Sequence, residues 1–337
     1  MRFQDSDYKK DVKAMRKYDS LEGFPEVKGY DFEQTFDFDS FIQSFKNMGI
    51  QGTNLGFGIE IVKKMIDEKA KIFLSCTSNM VSSGNREIIR FLVKNNFIDV
   101  LVMSAGGVEE DIIKTLKPFV LGSFDIAGNI LYEKGVGRIG NIFAPFDRYL
   151  YFEEFMNPFF DRIYEEQKEK NKIFTASEFI NELGKEINNE DSILYWAYKN
   201  KIPVFCPALT DGAIGDLIHF QLQKGRNLYI DVAADHHKIV KYVLAHEKTG
   251  AILLGGGVSK HYILNANIFK DGLDYAVYIT TAGEYDASDS GGNQQEAMSW
   301  AKIKLQAPNV KIVCEASIAF PLLVAGTFGK YYHDRKD

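Results

Sequence analysis

The stretch EAMSWAK, Glu296 to Lys302, sets a lysine two residues after a tryptophan and shortly downstream of EYDASDSGG, Glu284 to Gly292. An ordinary surface lysine needs no such setting, whereas one that reacts as a neutral amine does. With its usual pKa of ~10.4 a lysine is almost wholly protonated at neutral pH, and it must lose that proton before it attacks an imine or a carbonyl. Desolvation or a neighbouring cation disfavours the ammonium. Trp300 can furnish an apolar wall and a bound cationic ligand the second charge; the nearby acids act in the opposite sense and must pair mainly with that ligand. Helical spacing puts Glu296 and Trp300 on one face and Lys302 well round from it, so convergence requires a helix end or a second wall. By pattern alone, a solvated surface lysine is the plainer alternative.

Further carboxylates stand in comparable loops: Glu109, Glu110, Asp211, Asp216, Asp286 and Asp289, with Glu296. Unpaired acids crowded into one crevice repel each other unless they face a metal or a cationic ligand. Metal sites bring histidines at short spacing or a tight set of carboxylates. His236 and His237 are adjacent and point apart on a helix, and His261 stands alone after GGGVSK. An organic polycation is therefore favoured, and no metal site is expected. Any single acid can equally be a helix cap or a surface charge.

The elements that would carry these residues are legible as short apolar runs: KIFLSC (71–76), IDVLVMS (98–104), IPVFC (202–206), NLYIDV (227–232), GAILLG (250–255), DYAVYI (274–279) and VKIVCE (310–315). They are too short for helices and rich in β-branched residues, so they read as buried strands. Helical patterns lie between most of them. SSGNREIIRFLVKNNF spaces Ile88, Ile89, Leu92 and Val93 helically, GGVEEDIIKTLKP stops at Pro118, and Thr175 with Glu178 forms a capping box. The charge run DRIYEEQKEKNK, residues 161–172, reads as a solvated helix end. Such alternation predicts an α/β fold, a doubly wound and mostly parallel sheet covered on both faces.

Ligands of such sheets bind beyond the C-terminal ends of the strands. There the chain reads TSNMVSSG, AGGVEED, PALTDGAIGD, GGVSKH, TAGEYDASDSGG and AS, loop after loop of glycines, hydroxyls and acids. Small residues let a diphosphate approach N–H groups at helix N-termini, although strand-to-helix turns use the same residues for their own reasons. GVGRIG, residues 135–140, matches a dinucleotide fingerprint letter for letter but lacks the strand before it and the helix after it, with Pro145 close behind. It reads as a turn.

The chain has 337 residues, 45% of them hydrophobic, and a net charge of −6. The absence of a basic excess argues against a nucleic-acid surface. Cys76, Cys206 and Cys314 sit in apolar runs without CxxC spacing and read as buried free thiols of a reducing compartment. The charged N-terminus does not read as a secretory signal, and no apolar run reaches the ~18 residues of a membrane span. The expectation is a cytoplasmic protein with an N-terminal arm or helix, residues 1–26, and one α/β domain, residues 27–337.

Taken together, TSNMVSSGNRE, AGGVEED, RIGN, LGKEIN, PVFCPALTDGAIGD, LLGGGVSKH, NAN, DYAVYI, SDSGG and EAMSWAK resemble the deoxyhypusine synthase family, from VKGYDF (27–32) to FPLLVAGTF (320–328). The resemblance implies a Rossmann-like NAD-binding domain in a homotetramer, a dimer of dimers with active sites at the dimer interface. It implies that Lys302 carries a covalent butylimine, that His261 or Glu110 manages a proton, and that Glu109, Glu110, Asp216, His261, Asp289, Glu296 and Trp300 line a spermidine site. It assigns NAD contacts to Ser78, Asn79, Ser104, Ala105, Gly106, Asp211, Gly256, Thr281, Ala282, Glu315 and Ala316. The implied reaction moves the aminobutyl group of spermidine to a lysine of the translation initiation factor 5A precursor and releases 1,3-diaminopropane, without net use of NAD. Two alternatives stay open: homospermidine synthase, with putrescine as acceptor, and a catalytically inactive regulatory paralogue. Four positions depart from the family pattern: Ala301 stands where glycine is common, Asn293 where arginine is frequent, Tyr262 for a second histidine and Glu315 for an aspartate. The resemblance also places the arm where family members plug a neighbour's active site.

Overall fold

The computed structural model describes residues 23–335. The expected arm lies outside these residues except for its last four, which carry neither helix nor strand. Six parallel strands form the central sheet: β1 (Lys71–Cys76), β2 (Val100–Met103), β3 (Val204–Phe205), β4 (Thr249–Leu254), β5 (Tyr275–Thr280) and β6 (Asn309–Val313). Their order is β3-β2-β1-β4-β5-β6, so the chain winds outward from β1 in one direction and then the other. The expected doubly wound α/β fold is therefore present, with its switch point between β1 and β4.

The strands are apolar at successive positions because both faces are covered. Leu74, Leu101, Ile252 and Val277 belong to one core, while their neighbours Phe73, Val102, Ala251 and Ala276 belong to the other. This is the period-two alternation of a pleated strand with no solvent side. On the first face pack α1 (Ile50–Asp67), α3 (Asn85–Lys94), α4 (Ala105–Leu116) and α12 (Ala316–Val324); on the second pack α9 (Val232–Leu244) and α10 (Gly257–Asn267). Leu74 and Phe73 are fully buried, and truncating either to alanine is expected to cost about 2–5 kcal/mol. Between β1 and α3 lies the short α2 (Ser78–Ser82), and between β3 and α9 lies α8 (Ala213–Gln223).

Two expected elements differ. NLYIDV does not join the sheet: only Ile230–Asp231 is extended, pairing with Phe174–Thr175. Asp231 then accepts the Ala234 N–H at 2.8 Å and so opens α9, because its carboxylate serves as an N-cap. GVGRIG turns only at its ends, Gly135 and Gly140, with φ of 65° and 61°. Between them Val136–Ile139 forms a strand antiparallel to Ile142–Pro145, so a second strand, not a helix N-terminus, comes directly after the motif, and the next helix starts only at Asp147.

Other local readings are met. Thr175 and Glu178 form the reciprocal capping box that starts α6 (Ala176–Ile187). The charge run 161–172 falls on the C-terminal part of α5 (Asp147–Lys170), with Ile163 and Gln167 turned inward. Ser192 caps α7 (Ile193–Asn200). All three cysteines are free; Cys76 and Cys206 are buried, and Cys314 is half-buried. Among the described residues no helix is long and apolar enough to cross a membrane.

Candidate active site

Lys302 owes its position to a helix that ends just before it. α11 (Gln294–Ser299) starts at Asn293, whose side chain accepts the Glu296 N–H at 3.0 Å. It stops with Trp300 as C-cap and Ala301 in the left-handed region at φ 55°. Ala301 N–H donates to Met298 O (3.0 Å) and Lys302 N–H to Ala297 O (2.9 Å), the paired bonds of a Schellman ending. The next bonds, Leu273 N–H to Lys302 O (3.0 Å) and Lys304 N–H to Leu273 O (3.1 Å), pin the chain against the core, where Ile303 is fully buried. The lysine therefore leaves the helical path and comes back to the residues that precede it.

There it meets His261, one turn into α10: Lys302 Nζ lies 3.1 Å from His261 Nε2. Lys302 is half-buried, and its Nζ stands 6.0 Å from the Trp300 ring centroid. Trp300 itself is 64% exposed, so it forms an outer wall and leaves the lysine open on one side. Burial pushes the His261 ring below the ordinary histidine value, and the charges of Lys302 and Lys260 push it the same way against the pull of Asp289. The imidazole is neutral near pH 7, and in the tautomer that leaves Nε2 bare it accepts a hydrogen bond from Lys302.

The residue before His261, Lys260, is one that sequence reasoning missed. It is 3% exposed, lies 3.7 Å from Asp289 Oδ1, donates to the Asp289 carbonyl, and sits 5.7 Å from the Tyr278 ring. Burial lowers its pKa, and Asp289 and Glu296 oppose that. The only available signal was its place beside His261 in GGGVSKH. With Tyr278, Asp289, Glu296, Trp300 and Lys302 it lines a narrow pocket. The Tyr278 hydroxyl and Asp289 Oδ2 are buried there without a hydrogen-bond partner among the described residues. Unpartnered acceptors of this kind suit a ligand bearing N–H groups. Gly256 brings the β4 loop against the acidic loop, where a Cβ would come within 2.3 Å of Ser290 Cα.

A second group of acids lies across the switch point, on α4. Its three consecutive carboxylates are all buried, and helical geometry sends each to a different place. Glu109 accepts the Ile214 N–H at 3.0 Å and caps α8, which has no cap from its own Gly212. Asp111 accepts from Ser192 Oγ (2.6 Å), the Ile193 and Leu194 N–H groups (both 3.0 Å) and Arg86 Nε (2.9 Å), locking α4 to α7 and α3. Glu110 takes a hydrogen bond from Ser82 Oγ, and burial, helped by the charge of Glu109, pushes its carboxyl up to about 7. Lys114, close by, spends its ammonium on the carbonyls of Val81, Ser82 and Ser83.

The remaining candidate residues lie at the strand ends in turn. Ser78 opens α2 with Asn79 exposed beside it; Ser104 stands at the N-cap position of α4 but makes no capping bond, its Oγ buried without a partner among the described residues; Ala105 is buried. Gly106 is seated so closely that a Cβ would approach Ser78 Cβ to 2.7 Å. Asp211 and Asp216 are exposed at the start of α8, and their charges bear on Glu109. Thr281 and Ala282 come directly after β5. Glu315 caps α12 through the Ser317 N–H (2.9 Å), leaving Ala316 buried behind it. An orphaned serine hydroxyl and a glycine cradle at the crests of β1 and β2 fit a polar cofactor such as a dinucleotide. Of the departures, Tyr262 turns from the pocket and packs on the Phe205 and His236 rings. Among the described residues no group of three or more His, Cys, Asp or Glu is placed to hold a metal ion.

The deoxyhypusine synthase family model matches residues 40–327. The chain is 46% identical over 344 residues to a probable deoxyhypusine synthase of Dictyostelium discoideum, covering 96% of this chain and 92% of that protein. It is 46% identical over 324 residues to a probable deoxyhypusine synthase of Pyrococcus furiosus, covering 92% and 96%. The crystal structure of a candidate deoxyhypusine synthase from Entamoeba histolytica superposes with a TM-score of 0.68 at 31% identity, covering 90% of this chain and 97% of that one. None of these supports the homospermidine synthase or inactive-paralogue reading. With its doubly wound sheet and the lysine–histidine pair at the sheet's crest, the chain belongs to the deoxyhypusine synthase family.

Proposed function

We propose that the protein transfers the aminobutyl group of spermidine, through an imine on Lys302, to a lysine of the translation initiation factor 5A precursor. The contact between Lys302 and a neutral His261 in an acid-lined pocket carries this reading. Asp289 and Glu296, with Asp216 and Glu109 across the crevice, hold the ammonium ends of an extended polyamine. Glu110, titrating at about 7, is suited to take a proton from the secondary amine, which must be neutral before its neighbouring carbon gives up hydride. NAD, held by Ser78, Asn79, Ser104, Ala105, Gly106, Asp211, Gly256, Thr281, Ala282, Glu315 and Ala316, supplies when bound a hydride acceptor that gives the hydride back at the end. Lys302 forms a C–N bond to the oxidised carbon while His261 takes its proton. The C–N bond to 1,3-diaminopropane then breaks, and the acceptor lysine displaces Lys302 in the same way.

The exposed Trp300 indole beside the pocket favours completion of the site by a second subunit, in line with a homotetramer. Free thiols favour the cytoplasm. The test is incubation with NAD and spermidine labelled in its aminobutyl part, followed by the factor precursor or putrescine. Label on the precursor and release of diaminopropane are expected. Label on putrescine alone, or no diaminopropane in any mixture, would refute the assignment.

A further inference from the structure

A second cavity flanks the edge of the central sheet, and none of the candidate site residues named above lines it. β3 pairs with β2 alone, and beyond it α6, α7 and α9 border a half-open cleft of about 650 Å³. That is the size of a small-molecule site. Its lining is mainly apolar, with Ile180, Leu194, Ala197 and Phe205 beside the Tyr198 and Tyr242 rings, and it also carries Lys199, Lys201 and Lys238. Lys201, Ile202 and Pro203 stand before β3, whereas the crevice residues come after their strands.

The charge at the mouth is one-sided. Lys238 is held at 2.8 Å by Glu178 Oε1 and by Thr175 Oγ1. Lys199 and Lys201 are exposed, and among the described residues neither meets a carboxylate. Three lysines against Glu178 leave two positive charges, in a chain whose net charge is −6. Lys201 also closes α7 at φ 56°, a left-handed position where glycine or asparagine costs less. The chain thus keeps an ammonium where backbone geometry favours another residue.

We propose that this cavity binds a small amphipathic anion, an acyl or aryl body carrying one carboxylate, sulfonate or phosphate. The body fills the apolar interior beside Phe205, and the acid group is held by Lys199 and Lys201. Titration of the full-length protein with 8-anilino-1-naphthalenesulfonate tests this, with its uncharged parent N-phenyl-1-naphthylamine as control. One saturable site per chain is expected, with the uncharged probe about tenfold weaker. Because both lysines are exposed, Lys199→Glu with Lys201→Glu leaves the fold intact by circular dichroism. That double variant should weaken the sulfonate about tenfold and the neutral probe hardly at all. Saturating NAD and spermidine should not displace the probe. Unchanged sulfonate affinity in the double variant, displacement by NAD and spermidine, or several weak sites in place of one would each overturn the proposal.

Discussion

The two acid-bearing regions at the crest of the sheet differ in how they are held. On α4, Glu109, Glu110 and Asp111 are buried in a packed helix and fixed by main-chain N–H groups, Ser82 and Arg86. Beyond β4 and β5, Asp289 and Glu296 ride on a loop and a short helix, with Lys260, His261 and Lys302 among them. The first region confers rigidity and one carboxyl pushed up to about 7; the second sets Lys302 against His261 and leaves it open on one side. Burial raises a carboxyl only where no cation is free to answer it, and Lys114 is already committed to carbonyls. A crest built only like the first would be closed to a ligand, and one built only like the second would not fix a ligand's position.

The sharpest way to break this contrast is Lys302→Ala. Aminobutyl transfer should fall by about 10³-fold or more, with NAD binding by fluorescence unchanged; surviving transfer removes the lysine from the chemistry. Next comes His261→Ala, expected to slow transfer about 10²-fold. In the parent the acidic side of the pH–rate profile should carry two steps, one at about 7 from Glu110 and one below the ordinary histidine value of ~6.5, because burial and the neighbouring lysines depress the His261 ring; only the lower step should vanish in the variant.

Glu110→Gln probes the buried region through stability. A carboxyl raised to about 7 favours the fold at low pH, and that contribution is lost as pH rises through about 7. The variant should therefore gain on the parent between pH 5 and 8, by up to about 3 kcal/mol in denaturant melts. A pH-independent difference would mean that Glu110 is ionised throughout. The smallest effect is expected at the open region's hinge. Ala301→Gly relieves a left-handed alanine and should stabilise the protein by about 0.5–1 kcal/mol, with transfer retained.

Much of the site is legible in the sequence because strand-to-helix loops must carry it. Glu110, His261 and Asp289 all stand in the loops or helix starts that follow apolar runs, so they can be singled out without coordinates, whereas Ser104 closes such a run and is marked only by the family resemblance. NLYIDV departs from its expected place in the sheet because an apolar run says nothing about whether Asp231 will cap a helix, and GVGRIG departs from a plain turn because two turn glycines conceal a short strand between them. Lys260 leaves no local signal, since its burial depends on Tyr278 and Asp289, which stand 18 and 29 residues away.

By itself the sequence determined the layered α/β class, most of the order of helices and strands, and which loops gather glycines, hydroxyls and acids. Local periodicity and turn composition encode these directly. Only the tertiary structure decided that Lys302 touches His261, since the two stand 41 residues apart and a left-handed Ala301 ends the helical spacing that would carry Lys302 round from Glu296 and Trp300. It likewise decided which of three adjacent acids caps, which locks and which titrates. Those roles are set by partners up to 105 residues away in the chain, and long-range packing leaves no local mark.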